Sequence, residues 1–205
     1  MRFLDLKEAL KNYTVFTPSD IKKLGGSFFG TRLNEWQKKG YIKKVLRGYY
    51  IFSDLSLNEK VYFLVANKIY NPSYVSLESA LSYYGVIPEA VYSVTSVTTK
   101  KTSQFLTSIC SFYYRKINPK LFFGYNLLGE GSSVFKMASL EKAICDYFYF
   151  NSDLNSKSKI EDKRFNLDVL KEKLNRHILL KYLSLYNKNT QKRVSGLISF
   201  IYNDD

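Results

Sequence analysis

Cysteine and histidine are scarce in this chain. Its 205 residues include two cysteines, Cys110 and Cys145, and one histidine, His177. Two cysteines are too few for a disulfide framework, and with a single histidine they do not furnish a conventional Cys/His zinc site. No apolar run approaches the roughly 20 residues that a helix needs to span a bilayer. The opening segment MRFLDLKEALKNY alternates charge with apolar residues and lacks the uninterrupted stretch of a signal peptide. The chain therefore reads as a cytoplasmic protein with no membrane partner.

Catalytic signatures are equally thin. There is no GxxxxGK[ST] run and no Rossmann glycine pattern; Gly129 and Gly131 flank Glu130 and read as a turn. A Ser/His/Asp triad would depend on His177, which lies in a Leu-rich helical stretch and reads as a helix-surface or core-edge residue. A metal-dependent nuclease wants an Asp and a Glu-x-Lys near strand ends. Glu141 and Lys142 are adjacent instead, so on a helix they diverge. Cys110, in a strand-like stretch, and Cys145, in an apolar helix, read as small core residues. The expectation is no enzyme, no catalytic residue, no cofactor and no metal.

Acidic residues are also in deficit. There are 18 Asp and Glu against 31 Lys and Arg, for a net charge of +13. The composition, 45% hydrophobic and 17% aromatic, supports a real core and excludes global disorder. The excess charge is uneven. Residues 1–52 hold 11 basic and 4 acidic side chains, a net +7; residues 53–150 carry +2 and residues 151–205 carry +4. A concentrated basic segment suggests a polyanionic partner, whereas Lys spread evenly only solvates a surface.

Residues 1–52 carry the clearest pattern. Leu4, Leu6, Ala9 and Leu10 predict an amphipathic helix over about residues 2–12. Thr17, Pro18 and Asp20 form a strong start signal for a second helix, which Gly25-Gly26 ends. Ser27 offers a fresh cap, and Phe29, Leu33 and Trp36 recur on one helical face up to Gly40. Ile42 to Leu46 and Tyr49 to Phe52 flank Arg47-Gly48 as a short hairpin. Helix-turn-helix plus basic hairpin predicts a winged helix-turn-helix. With the apolar face inward, Thr31, Arg32, Asn34, Lys38 and Lys39 turn outward, together with Glu35. Arg and Asn can read guanine and adenine edges in a major groove. Lys38, Lys39, Lys43 and Lys44 would neutralise phosphates, and Arg47 could enter the adjoining minor groove. Double-stranded DNA is the expected partner of this segment.

Residues 53–150 predict an α+β unit. Ser56-Leu57-Asn58-Glu59 resembles a capping box and opens a helix to about Tyr70. Strand-like stretches follow at 74–75, 91–99, 105–114, 121–128 and 134–137, with a helix after Ser76 and another from Ser139 to about Phe150. Short connections between strands favour an antiparallel or mixed sheet. Lys100-Lys101 and Arg115-Lys116 end two of these stretches; in a tight hairpin of 91–99 with 104–114 the two pairs would lie at opposite ends. Residues 151–164 read as an exposed loop. Residues 165–205 read as a helical subdomain. The fold class expected is thus α+β, a winged helix-turn-helix over 1–52 and a larger mixed unit with a helical tail over 53–205.

The ordered set LRGYYIF (46–52), YVSLESALSYYGVIPE (74–89), YSVTSVTTKKT (92–102) and ASLEKAICDYFYF (138–150) resembles the AbiEi family of antitoxin transcriptional regulators. The similarity covers about residues 1–150. It implies a two-domain bacterial protein of an abortive-infection toxin–antitoxin system. Such a protein represses its own operon through the winged helix. Its C-terminal domain neutralises a nucleotidyltransferase-like toxin. The family's DNA-contacting helix and wing correspond to about residues 27–39 and 43–50. Its basic C-terminal face would fall on Lys100, Lys101, Arg115 and Lys116, although this chain departs from that pattern in the near balance of residues 53–150. A protein-interaction adaptor, whose winged helix binds a partner without reading DNA, is the competing expectation. A lone module covers one half-site, and both a monomer and a dimer fit the sequence.

Overall fold

A computed structural model describes residues 1–25, 30–88 and 93–202 of the chain. The fold is mixed α+β, with ten α-helices and two sheets among the described residues.

The first unit holds α1 (Phe3–Ala9), α2 (Pro18–Lys23), α3 (Thr31–Lys38) and the antiparallel strands β1 (Ile42–Leu46) and β2 (Tyr49–Phe52). The start of α2 follows from its sequence: Thr17 Oγ1 accepts from the Asp20 amide at 3.2 Å, and the Asp20 carboxylate accepts from the Thr17 amide at 2.8 Å. Pro18 takes the first helical position, where its missing N–H costs nothing. The turn to β1 needs a left-handed residue, and Gly40 supplies it at φ +71°. The expected Ser27 cap and the inward Phe29 lie outside the described residues.

These elements enclose Leu6, Leu10, Phe16, Ile21, Leu33, Trp36, Ile42, Tyr50 and Phe52. One sequence expectation is corrected here. Leu4 is 74% exposed and Ala9 faces solvent. Phe3 takes the inward place, its ring lying against Trp36, Tyr41 and Phe52. Phe3, Leu6 and Leu10 share a stripe at i, i+3, i+7, and only one stripe of a short helix can face a core this small.

The second unit is built on a six-stranded sheet in the order β5-β6-β4-β3-β8-β7. Its strands are β3 (Ser73–Val75), β4 (Ser93–Thr98), β5 (Ser103–Leu106), β6 (Ser111–Lys116), β7 (Tyr125–Leu128) and β8 (Phe135–Ala138). Pairs β4–β6 and β3–β8 are parallel, and the remaining pairs are antiparallel. Its helices are α4 (Glu59–Ile69), α5 (Leu77–Tyr83) and α6 (Leu140–Phe150), followed by α7 (Lys157–Glu161), α8 (Leu167–Lys173), α9 (Arg176–Leu183) and α10 (Lys188–Tyr202). No described helix is long and apolar enough to cross a membrane.

Three further expectations change. The stretch 105–114 is two strands, because Thr107 Oγ1 donates to the Cys110 carbonyl and closes a turn; Cys110 sits in that turn and not in a strand. The expected loop 151–164 contains α7, capped by Ser156. Helix α4 is capped by Asn58, whose Oδ1 accepts from the Val61 amide at 3.0 Å, so Ser56 is not the cap.

The β1–β2 hairpin belongs to both units. Ile42, Tyr50 and Phe52 lie in the first core, while Val45 and Ile51 lie in the large core of the second unit, with Val15. A bulge between Lys44 and Leu46 interrupts the pairing at Val45. Truncating Ile51, which is 1% exposed, should therefore loosen the joint and both units together. We expect Ile51→Ala to cost about 2–5 kcal/mol in denaturant unfolding. Fluorescence of Trp36, in the first unit, and far-UV circular dichroism, dominated by the second, should report one coincident transition. Two separate midpoints in the unaltered protein would show that the hairpin does not couple the units.

Candidate nucleic-acid interface

Helix α3 divides cleanly into two faces. Leu33 and Trp36 are buried, and Thr31, Arg32, Asn34, Glu35, Lys38 and Lys39 are exposed. Gln37 is half-buried because its amide nitrogen donates back to the Leu33 carbonyl at 3.2 Å. Lys43, Lys44 and Arg47 are exposed on the hairpin. All eight residues expected to contact DNA thus lie on the surface of one unit, on two elements that share a core. Arg32 pairs with Glu35 at 3.5 Å, with about half of each side chain exposed. An exposed pair of this kind is weak, so the guanidinium exchanges partners at little cost. The turn before β6 borders β1, where Ser108 Oγ donates to the Lys44 carbonyl at 3.3 Å.

The second basic group is arranged differently from the hairpin expectation. Strand β5 folds back on β6, which brings β6 beside β4 in parallel and pairs Thr98 with Lys116. Lys100, Lys101, Arg115 and Lys116 therefore collect at one end of the sheet, all of them exposed. They wrap around it: Lys100 lies 5.3 Å from the ring centre of Tyr70 at the end of α4, and Arg115 lies 4.8 Å from that of Phe150 at the end of α6. Exposed Lys120 follows β6, and no acidic residue occurs between positions 93 and 129. Part of this charge offsets the negative C-terminal ends of α4 and α6.

Beneath the sheet lies a polar network that sequence reasoning missed. Lys142 and Asp146 are both fully buried and pair at 2.5 Å. The other Asp146 contacts come from three hydroxyls: Tyr74 at 2.8 Å and Ser76 at 2.9 Å on Oδ2, and Tyr186 at 2.7 Å on Oδ1. The Lys142 ammonium also donates to the Tyr186 oxygen and stands 4.8 Å from the ring centre of Phe123. Gly124 admits the Lys142 stem: at φ +70°, a Cβ there would meet Lys142 Cβ at 3.2 Å. Burial and the Asp146 charge push the Tyr74 and Tyr186 hydroxyls well above their ordinary range, so they stay protonated as donors. Next to them, Glu141 is buried and accepts from the Asn175 amide at 3.0 Å, at the start of α9.

A signal for this network was present. Helix α6 is apolar on every side apart from Glu141, Lys142 and Asp146, and a helix of that kind is buried; Lys and Asp at i, i+4 within it must satisfy each other. Closed to solvent, the pair organises the fold. Burial likewise pushes the Cys145 and Cys110 thiols up, away from the reactive thiolate. His177 is exposed on α9.

Comparison with models of known protein families gives no match for this chain, and none of the curated proteins matches it.

The network makes an asymmetric prediction. Asp146→Ala leaves a buried ammonium and three hydroxyls each short of a partner, and should cost about 3–5 kcal/mol. Lys142→Met keeps the carboxylate with its three hydroxyl donors and should cost clearly less. Urea unfolding of the two variants checks the order; equal costs would show that the hydroxyls contribute nothing.

Proposed function

We propose that this chain is an antitoxin and transcriptional autorepressor of the AbiEi type. In this reading residues 1–52 are a winged helix that binds double-stranded operator DNA, and residues 53–205 neutralise a nucleotidyltransferase-like toxin. The observation that carries the reading is the outward face of α3. Arg32 and Asn34 stand exposed there at groove-reading positions, flanked by Lys38 and Lys39, with Lys43, Lys44 and Arg47 exposed on the adjoining hairpin. The ordered sequence resemblance supports the same reading. Helix α3 enters the major groove, its lysines neutralise phosphates, and Arg47 reaches the neighbouring minor groove. The toxin-directed surface is the cationic end of the sheet, with Lys100, Lys101, Arg115 and Lys116.

A protein-interaction adaptor is the second reading, and one observation favours it. Glu35 is exposed on the same helix face and holds Arg32, and a carboxylate there repels phosphate.

Gel-shift titration on the DNA upstream of the gene separates the two. Arg32→Ala and Arg47→Ala should each weaken operator binding by about 1–3 kcal/mol. Each of the lysine-to-alanine changes at 38, 39, 43 and 44 should flatten the log–log salt dependence by about 0.9. Unchanged affinity in both arginine variants removes the assigned DNA face. Tight toxin capture without any salt-sensitive DNA binding selects the adaptor.

The sheet end is tested by co-expression of the full chain with the toxin. Replacing Lys100, Lys101, Arg115 and Lys116 together by Glu should abolish growth rescue and leave operator binding intact. Full rescue by that variant would place the antitoxic surface elsewhere.

A further inference from the structure

A groove of about 750 Å³ runs between the 152–160 segment, which reaches into α7, and one stripe of α10. Lys157, Lys192 and Arg193 line this groove, and no Asp or Glu is among its described lining residues. Arg193 is held in place, donating from Nε to the Phe148 carbonyl at 3.0 Å and from Nη2 to Thr190 Oγ1 at 3.2 Å. Nη1 lies outside both bonds and remains to meet an anion. At the other end lies the half-buried ring of Phe200, with the Lys157 ammonium 5.5 Å from its centre. Lys157 also sits 3.9 Å from Glu161, an exposed and therefore weak pair.

Gly196 is the informative residue. It stands in the middle of the 15-residue α10, where glycine costs roughly 1 kcal/mol relative to alanine. Packing does not require it, because a Cβ would meet only Ile160 Cδ1 at 3.5 Å, an ordinary contact. What its missing side chain does is widen the groove midway between Arg193 and Phe200. Those two are seven positions apart on the helix, about 10 Å along the axis, close to the reach from the phosphate to the far edge of the base in a mononucleotide. The volume suits a ligand of that size and is too small for a duplex.

We propose that this groove binds a nucleoside phosphate. The phosphate sits on Lys192 and Arg193, the sugar passes over Gly196, and the base lies against Phe200 beside Lys157. A cation pair supplies charge-assisted hydrogen bonds to the phosphate, and an aromatic face accepts any planar base. The site lies on the helical tail and does not depend on the DNA-binding reading.

Isothermal titration of the full chain with AMP, GMP, adenosine and inorganic phosphate tests it. AMP or GMP should bind, with adenosine and inorganic phosphate each weaker by about tenfold or more. Gly196→Leu fills the groove with a better helix former, so thermal stability should hold or rise while nucleotide affinity falls by about tenfold or more. Lys192→Glu, an exposed change, should weaken binding likewise and serves if the leucine variant misfolds. No binding of either nucleotide overturns the proposal, as does undiminished affinity in a folded variant. Inorganic phosphate matching the nucleotides overturns it as well, because the ring then contributes nothing.

Discussion

The carboxylate of Asp146 is the point on which the second unit depends. A charge with no exposure to solvent is costly unless it is fully paired. Here it collects Lys142 from its own helix, Tyr74 from β3, Ser76 from the start of α5 and Tyr186 from the connection between α9 and α10. The donors come from three places, the β3–α5 junction, α6 itself and the link before α10, so one charge ties together the sheet, two helices and the helical tail. Ser76 shows the consequence locally. It stands at the N-cap of α5 but makes no side-chain cap bond there, because its hydroxyl is committed to Asp146. Glu141 and Arg193 extend the same logic: one accepts from the start of α9, the other donates to the end of α6.

The first unit solves a different problem. About fifty residues bury too little surface to be comfortably stable alone, and the core here has nine buried members, several of them aromatic. The hairpin compensates by burying its other face, Val45 and Ile51, in the larger core. Lys7 pairs with Asp54 just beyond the hairpin, and Ser132 donates to the Asn12 carbonyl from the far side. Helix α3 therefore packs on a hairpin that the second unit also holds, so the orientation of its exposed face is set by contacts some distance from Arg32 and Asn34.

How far all this was legible depended on the range of the signal. The α2 capping box, the Arg47-Gly48 turn, the Ser139 cap of α6 and the buried face of α3 are local, and local spacing predicts them. So is the division of α3 into buried Leu33 and Trp36 and exposed Arg32, Asn34 and Lys38. The strand neighbours are not local. Periodicity marks 105–114 as β-prone, but only the folding-back of β5 onto β6 decides which strand lies beside β4. The buried network is non-local in the same way. Glu141 and Lys142 diverge as neighbours, whereas the partner that matters for Lys142 is one helical turn away and the remaining donors are distant in sequence.

That strand order also changes what a near-neutral segment means. Residues 53–150 sum to +2, which reads as an absence of electrostatic character. In the fold two of the seven acids, Glu141 and Asp146, are buried. Glu59 and Glu78 stand in the first turns of α4 and α5. Glu59 shares a cavity with Ser93 and Cys110 at the starting end of β4 and β6. The cations gather at the opposite end, where β4 and β6 finish. Parallel pairing forces this, since it sends both Lys- and Arg-bearing strand ends the same way. An antiparallel pair would have cancelled the polarity with no change in composition. The charge of this surface is thus set by chain direction, and a segment sum averages it away.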